Sequence, residues 1–315
     1  MKYYGVKFRI ETPLDQLATA RDLLSALAGD AGFETFEETE DGVTGYVQQS
    51  LFDRDALEQC LATFPLPQCT ITYTANEAED RDWNEQWEQE GFAPIIVTAE
   101  SPSTDGSSPS SLISCLIHDG RHVSEELFDE HNGKARRGDE NEKISIEIDA
   151  RMAFGTGTHE TTRMMVSSLL SLPLSGRRVL DCGTGTGILA IAALKRGATE
   201  AVGYDIDEWS VDNARHNAVI NCVEQHFTLL LGDASVLEQV EGLFDIVVAN
   251  INRNILLADM PAFAKKMAPK GCLVISGFYS ADIHILIEKA ATLGLEPTGQ
   301  NNDGEWACII LQKKD

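Results

Sequence analysis

A glycine-rich bend between residues 181 and 187 is the strongest chemical signal in the sequence. The apolar run RVLDC contains Asp181, and Gly183, Gly185 and Gly187 follow at alternate positions before the helix-like run ILAIAALK. Glycine suits such a bend because a Cβ would keep the backbone from closing on a ligand. A strand, a glycine bend and a helix in this order are typical of the nucleotide-holding corner of a doubly wound α/β domain. We therefore predict that Asp181 and the three glycines contact a ligand.

A second glycine-rich stretch, FGTGTHETT, lies about one helix earlier in the chain. Its glycines would let the backbone lie against a ligand, and its threonines would supply hydroxyl groups. Thr162 falls in the first turn of a predicted helix, where exposed backbone N–H groups favour a carboxylate. His159 is open to three interpretations: a general base, a helix cap or a structural hydrogen-bond donor. The ligand contacts predicted in this stretch are Phe154, Gly155, Thr156, Gly157, Thr158, His159 and Thr162.

Aspartates end the next two predicted strands. Asp205 lies 22 positions after Gly183, where a carboxylate can accept hydrogen bonds from both hydroxyls of a ribose. The alternative role, capping the following helix, suits Asp207 better because a cap directly precedes the first turn. Asp233 could accept a hydrogen bond from the exocyclic amine of adenine, or it could form an Asx-turn. The contacts predicted at these two strand ends are Asp205, Ile206, Asp233 and Ala234.

The spacing of the bend also narrows the class of ligand. Asp-x-Gly-x-Gly-x-Gly resembles the pattern of S-adenosylmethionine (AdoMet) methyltransferases. It differs from the dinucleotide fingerprint Gly-x-Gly-x-x-Gly, which disfavours an NAD-dependent oxidoreductase. In such a fold Asn250, at the end of the fourth predicted strand, would face the methyl donor and could orient an amine. We predict Asn250 and Ile251 as catalytic residues, with Asn250 also contacting the cofactor. The proline and aromatic residue that follow in many amine methyltransferases are absent, which weakens the case for a nucleobase substrate.

The elements that must position these residues form two predicted domains. Strands and helices alternate from residue 143 onward, which indicates a doubly wound, Rossmann-like α/β domain with a closing hairpin. The order β-α-β-β-α-β over residues 1–75 indicates a small ferredoxin-like α+β domain. We assign residues 76–100 to an acidic linker helix and 101–315 to the methyltransferase domain, with 98–143 partly flexible. Two tryptophans in the linker would share one helix face, either as a docking stripe or as part of a hinge or substrate lip.

Charge and composition limit the partners. The chain carries 25 Lys and Arg against 50 Asp and Glu, a formal net charge of −25. That balance argues against direct binding of nucleic acid or of an anionic membrane through a basic surface. It suits a lysine-rich protein partner, or it serves only solubility. The seven scattered cysteines indicate neither a metal site nor a disulfide framework, and no run has the length of a membrane span. We therefore expect a cytoplasmic protein.

Five longer motifs and the order of the domains indicate a particular family of methyltransferases. The chain resembles the ribosomal protein L11 methyltransferases, a family of AdoMet-dependent protein-lysine methyltransferases. The acidic segment DWNEQWEQEGFAP is similar to the Trp-rich linker of that family, and the small N-terminal domain matches in size and order. The motifs that carry the resemblance are AFGTGTHETT (153–162), VLDCGTGTGILAIAALKRGA (179–198), VGYDID (202–207), VVANI (247–251) and GEWACIIL (304–311).

The resemblance implies methylation of lysine ε-amines, and of an N-terminal amine, on a ribosomal protein of the large subunit. It implies AdoMet contacts at Thr162, Gly183, Asp205 and Asn250, and an N-terminal domain that recognises the substrate while the linker lets it move. We expect the chain to act as a monomer. Two alternatives stay open: a protein-lysine methyltransferase with a different protein substrate, and a non-catalytic AdoMet-binding factor in ribosome assembly.

Overall fold

The chain divides into two units, Met1–Trp83 and Asn84–Asp315. The computed structural model describes residues 3–13, 16–39, 41–49, 52–66, 69–77, 91–100, 112–132, 142–150 and 153–314. None of the helices within these ranges is long and apolar enough to cross a lipid bilayer.

The first unit is an antiparallel sheet with two helices. The strand order β2-β3-β1-β4 is that of a ferredoxin-like fold, as predicted. The buried side chains of Phe8, Leu24 and Leu57 belong to a core of its own. The elements are β1 (Tyr3–Glu11), α1 (Leu17–Ala28), β2 (Phe33–Thr39), β3 (Gly42–Gln48), α2 (Arg54–Ala62) and β4 (Thr70–Glu77).

The second unit begins with a three-stranded sheet of β5 (Ile95–Glu100), β6 (Leu112–His118) and β7 (Glu142–Glu147), with helix α3 (Glu125–Asn132) before β7. Strand β6 pairs antiparallel with β5 and parallel with β7. The prediction of a linker helix over 76–100 is wrong at its ends, since β4 extends to residue 77 and β5 begins at Ile95.

Parts of the linker and of the segment predicted to be flexible lie outside the described residues. These are 78–90, with both linker tryptophans, and 101–111 and 133–141. The rest of 98–143 contains β6 and α3, so much of that segment is regular structure.

A seven-stranded sheet follows, in the order β10-β9-β8-β11-β12-β14-β13. The first five strands are parallel, and β14 is antiparallel to both of its neighbours. The predicted Rossmann-like class is confirmed, although the closing hairpin places its antiparallel strand inside the sheet rather than at the edge. The strands are β8 (Arg178–Cys182), β9 (Glu200–Asp205), β10 (Phe227–Leu231), β11 (Phe244–Asn250), β12 (Met267–Tyr279), β13 (Leu295–Asp303) and β14 (Trp306–Lys313).

Helices cover both faces of this sheet. The middle residues of the two central strands β8 and β11 are mostly apolar and buried, because parallel strands between helical layers are covered on both faces. Helix α5 is buried from Ile188 to Leu194, which explains why its sequence is apolar all round. The helices are α4 (Glu160–Leu170), α5 (Ile188–Lys195), α6 (Glu208–Ile220), α7 (Arg253–Lys266) and α8 (Ile283–Thr292).

The strand order reverses at β8, whose neighbours are β9 on one side and β11 on the other. In open α/β sheets this reversal opens a crevice beyond the carboxyl ends of the strands, where ligands bind. Asp205 ends β9 and Asn250 ends β11. The fold therefore brings the predicted contacts to one edge of one sheet.

Candidate functional site

The glycine bend after β8 has the geometry that its spacing predicts. Gly185 has a φ of +51°, and a Cβ there would lie 2.3 Å from the carbonyl oxygen of Phe154. Gly183 has a φ of +71°, and a Cβ there would meet the side chain of Ile251 at 2.4 Å. No other residue type fits either position without moving the chain. Gly187, also at positive φ, is the N-cap of α5.

The two glycine-rich stretches are bonded to one another. The Thr186 backbone N–H donates to the Phe154 carbonyl at 3.0 Å, and the Thr186 hydroxyl donates to the Gly155 carbonyl at 2.7 Å. The sequence predicts both stretches as ligand loops, and the structure brings them together as one double loop. In the same stretch Gly157 is buried against Ile117, and the hydroxyls of Thr156 and Thr158 lie 2.7 Å apart.

Asp205 links the end of β9 to the glycine bend. One carboxylate oxygen accepts from the Gly185 backbone N–H at 3.0 Å, and the other accepts from the Asp207 N–H at 3.1 Å. Each oxygen keeps a further lone pair, and the side chain is only half-buried. The helix cap is Asp207, whose carboxylate accepts from the Ser210 N–H at 3.0 Å. Asp205 therefore stays available for ribose hydroxyls, as predicted.

Asp181 lies beneath the bend with none of its surface exposed. One carboxylate oxygen accepts from the Thr184 hydroxyl at 3.0 Å and from the Ala190 N–H at 3.1 Å. Burial raises the pKa of this carboxyl to about 7, against those two hydrogen bonds and with a further upward contribution from Asp205. These contacts brace the loop and the start of α5. The other carboxylate oxygen, Oδ1, is buried without a hydrogen-bond partner among the described residues, and the ligand contact of Asp181 stays a prediction.

The predicted adenine contacts lie at the end of β10. Asp233 is exposed and caps a short 3₁₀ helix that begins at Ala234, accepting from the Ser235 N–H at 2.9 Å. These hydrogen bonds lower the pKa of the Asp233 carboxyl. Asp233 therefore forms the local Asx-type turn that is one of its two predicted roles. Its second carboxylate oxygen stays a predicted acceptor for the adenine amine. Ile206 is 70% exposed, which leaves an apolar side chain open beside the predicted ribose position.

A chain of hydrogen bonds joins β11 to the start of α4. The Asn250 amide donates to the Thr161 hydroxyl oxygen at 3.3 Å, and that hydroxyl lies 2.9 Å from His159 Nδ1. His159 Nδ1 also accepts from the Thr161 backbone N–H at 3.2 Å, and the residue is the N-cap of α4. Where Nδ1 accepts from this N–H, the Thr161 hydroxyl is placed to donate to it as well. Of the three interpretations of His159, the helix cap is the one seen.

Two buried oxygens near this chain have no hydrogen-bond partner among the described residues. They are Thr162 Oγ1 and Asn250 Oδ1. A buried polar atom that lacks a partner costs free energy, so such atoms usually mark a missing water, ion or ligand. Both lie where the sequence predicts cofactor contacts, and their chemistry fits the polar groups of AdoMet. Ile251 follows Asn250 and covers the glycine bend, and its backbone N–H donates to Ser276 at 3.2 Å.

Three aromatic side chains lie around His159, at the end of the same chain of hydrogen bonds. The His159 ring lies 4.9 Å from Trp306 and 5.4 Å from Phe154, and Tyr279 stacks on Trp306 at 4.5 Å. Phe154 and Tyr279 are 56% and 50% exposed, so the cluster opens to solvent. Sequence reasoning missed Trp306, Tyr279 and Thr161. Trp306 stood in a quoted motif, but its partner Tyr279 follows only from the antiparallel register of β12 and β14.

The arrangement can bind a nucleoside at the bend, a carboxylate near the start of α4, and an amine between Asn250 and the aromatic rings. A neutral amide acceptor beside aromatic faces suits a substrate that alternates between an ammonium and an amine.

Comparisons with known proteins agree with this geometry. A family model described as "Ribosomal protein L11 methyltransferase (PrmA)" matches residues 123–314. The chain is 41% identical over 309 residues to a ribosomal protein L11 methyltransferase of Phocaeicola vulgatus, covering 98% of each chain. It is 38% identical over 311 residues to one of Porphyromonas gingivalis, covering 98% of this chain and 97% of that one.

A solved structure with a similar fold belongs to a protein with a similar description. It is a ribosomal protein L11 methylase of Lactobacillus delbrueckii subsp. bulgaricus, with 26% identity and a TM-score of 0.51. The match covers 66% of this chain and 97% of that one. The chain belongs to the ribosomal protein L11 methyltransferase family.

Proposed function

We propose that the chain is an AdoMet-dependent methyltransferase that transfers methyl groups to lysine ε-amines, and to an N-terminal amine, of ribosomal protein L11. The observation that carries the proposal is the chain of hydrogen bonds from Asn250 through Thr161 to His159, set beside the double glycine loop. The family supports methyl transfer and the protein substrate. The local geometry supports an amine as the acceptor.

The residues that would hold AdoMet are shared between three strand ends. Asp205 would accept hydrogen bonds from the ribose, and Asp233 would accept one from adenine. The double loop and the first turn of α4 would hold the methionine part, with the Thr162 hydroxyl as one partner. When bound, AdoMet supplies an electrophilic methyl group on a sulfonium.

The protein would act on the amine mainly by orienting it. A free lysine has a pKa near 10.4, so the amine must lose a proton before it can attack. Burial next to a positive charge lowers the pKa of an amine and favours the neutral nucleophile. Asn250 Oδ1, which has no hydrogen-bond partner in the part of the chain that the structure describes, would accept a remaining N–H and aim the nitrogen lone pair. Positioning of this kind can supply about 7–11 kcal/mol.

The aromatic cluster supports a lysine side chain in particular. Trp306 and Tyr279 form a stacked pair next to His159, and the ring of Phe154 also contacts that of His159. Aromatic faces attract ammonium and methylated ammonium groups by about 0.5–2 kcal/mol. They would also pack against the methylene groups of a lysine.

The first unit would recognise the protein substrate. It folds around its own core, and the double glycine loop and the aromatic cluster lie entirely within the second unit. A net charge of −25 favours a lysine-rich partner over nucleic acid. We propose that the enzyme acts as a monomer in the cytoplasm.

Mass spectrometry of purified large-subunit ribosomal proteins, before and after incubation with the enzyme and AdoMet, tests the proposal. Ribosomal protein L11 should gain about 14 Da per methyl group on lysines, and omission of AdoMet should abolish the gain. A mass gain on another protein, with none on ribosomal protein L11, would point to a different substrate. Binding of AdoMet without transfer to any ribosomal protein would favour an assembly factor, and binding of NAD in place of AdoMet would contradict the proposal.

A further inference from the structure

Helix α6 carries three buried asparagines spaced by four residues. They are Asn213, Asn217 and, at the C-cap position, Asn221, with exposed fractions of 3%, 0% and 5%. Asparagine is a weak helix former, and a buried amide costs free energy unless its donors and acceptor are bonded. The spacing puts all three amides on one face of the helix. We call this set the asparagine ladder.

The ladder binds the backbone that leaves β7. Asn221 accepts from the Glu147 N–H at 3.1 Å and donates to the Glu147 carbonyl at 2.7 Å. Asn217 accepts from the Asp149 N–H at 3.0 Å, and Asn213 donates to the Asp149 carbonyl at 2.7 Å. The side-chain amides thus pair both backbone groups of alternate residues, as a neighbouring strand would.

The opposite edge of the same backbone is held by β6. The N–H of Ile148 donates to the carbonyl of His118 at 2.8 Å. Residues 147–149 are therefore fixed from two sides. The chain continues from them to the FGTGTH stretch and its Gly155.

One amide of the ladder also reaches the glycine bend. Asn217 donates to the Thr186 carbonyl at 2.9 Å in a fully buried contact. Thr186 in turn donates to the carbonyls of Phe154 and Gly155. A single buried side chain therefore connects helix α6, the exit of β7 and both halves of the double loop.

We propose that Asn217 and its two neighbours are positioning residues that hold the two glycine loops at the separation that AdoMet requires. This inference rests on the proposed function, because it concerns the cofactor of that reaction. Displacing the segment 147–149 would move the loops, and Phe154 with them, but would leave Asn250, Thr161 and the stacked pair of Trp306 and Tyr279 in place. Cofactor affinity should therefore depend on the ladder much more than the rate of the chemical step does.

The test uses Asn217→Leu, which keeps the branched outline of the side chain in a somewhat larger volume and removes its hydrogen bonds. We expect the Kd and the KM for AdoMet to rise about tenfold or more, because small misplacements at a site are costly. At saturating AdoMet, kcat should stay within about threefold of wild type. The control is Asp212→Ala on the exposed face of α6, for which both AdoMet constants should change by less than about twofold.

Hydrogen exchange on the wild-type chain supplies a readout that needs no variant. If the ladder couples this segment to the cofactor, AdoMet must slow exchange of the Glu147 and Asp149 amides, since coupling between sites is reciprocal. This measurement decides the matter if Asn217→Leu does not fold.

Two results would overturn the inference. One is a folded Asn217→Leu protein with lowered thermal stability and an unchanged AdoMet Kd, which would mean a purely structural role. The other is wild-type exchange at both amides that AdoMet does not alter. A wild-type chain that does not bind AdoMet at all would overturn the proposed function as well, so the two failures are distinguishable.

Discussion

The side-chain amide of Asn250 donates to the hydroxyl of Thr161 at 3.3 Å, across 89 residues of sequence. This bond fixes the direction of the Asn250 side chain, so its carbonyl oxygen is the atom left for an amine. Thr161 acts through Asn250 and is a positioning residue in the proposed reaction.

Replacement of Thr161 by valine tests that relationship. The variant keeps the branched shape but removes the acceptor for Asn250, so kcat for methyl transfer should fall on the order of 10- to 100-fold. The AdoMet Kd from calorimetry should stay within about threefold. Thr228→Val on the exposed edge strand β10 is the matched control and should leave both constants unchanged. A Thr161→Val enzyme with wild-type kcat would show that Asn250 needs no support.

The ribose assignment predicts a loss of cofactor affinity in Asp205→Ala. Hydrogen bonds to a charged group contribute about 1.5–3 kcal/mol each, so the AdoMet Kd should rise at least about tenfold. Asp207→Asn is the control, because asparagine also caps helices well and the Asp207 side chain accepts hydrogen bonds from Ser210 in the first turn of α6. Equal AdoMet affinity in Asp205→Ala and wild type would remove the ribose role.

Alanine variants of two glycines separate the effect of backbone strain from the effect of a close contact, because both glycines have a positive φ. Gly185→Ala should abolish measurable AdoMet binding in calorimetry, because the new methyl group would lie 2.3 Å from the Phe154 carbonyl and force the double loop apart. Gly176→Ala also has a positive φ, of +76°, but meets nothing within 4 Å. It should lower stability by about 1–2 kcal/mol and leave AdoMet affinity intact. Equal AdoMet affinities in the two variants would contradict the role of the close approach.

The raised pKa of the Asp181 carboxyl predicts an unusual dependence of folding stability on pH. Its folded-state pKa of about 7 is above the usual value, so the folded protein holds one more proton than the unfolded chain between about pH 4 and pH 7. Its contribution to stability is therefore fully present below about pH 4 and is lost as pH rises through 7. Urea unfolding of wild type and Asp181→Asn at pH 5 and pH 8 should show the variant gaining relative stability at the higher pH. A constant difference between the two proteins would contradict this ionisation.

Trp306→Leu tests the aromatic cluster. The change removes the face that stacks on Tyr279 and contacts His159, so the KM for ribosomal protein L11 should rise about 5- to 30-fold. The AdoMet Kd should change little. Trp209→Leu, at an exposed position on α6, is the control for loss of an indole elsewhere. If both variants raise the KM equally, the cluster has no specific role.

Sequence alone determined the class of fold, the position of the glycine bend and the placement of Asp205 at the end of β9, with Asp207 as the helix cap. These features depend on local properties: the periodicity of apolar residues, the backbone freedom of glycine, and the position of a residue at a strand end. Dependence on local properties also explains the wrong prediction for 76–100. The acidic, helix-compatible composition of that segment favoured a helix, whereas β5 begins at Ile95.

Only the tertiary structure decided which distant side chains meet. The pairing of Tyr279 with Trp306 depends on antiparallel register and on an irregularity in β12, and the bond from Asn250 to Thr161 depends on α4 packing beside β11. The burial of Asp181 and the reach of Asn217 to Thr186 likewise follow from packing. The pattern of a segment indicates which element it forms, but the contacts between distant segments depend on sheet order and on how the helices pack, which the pattern of one segment does not specify.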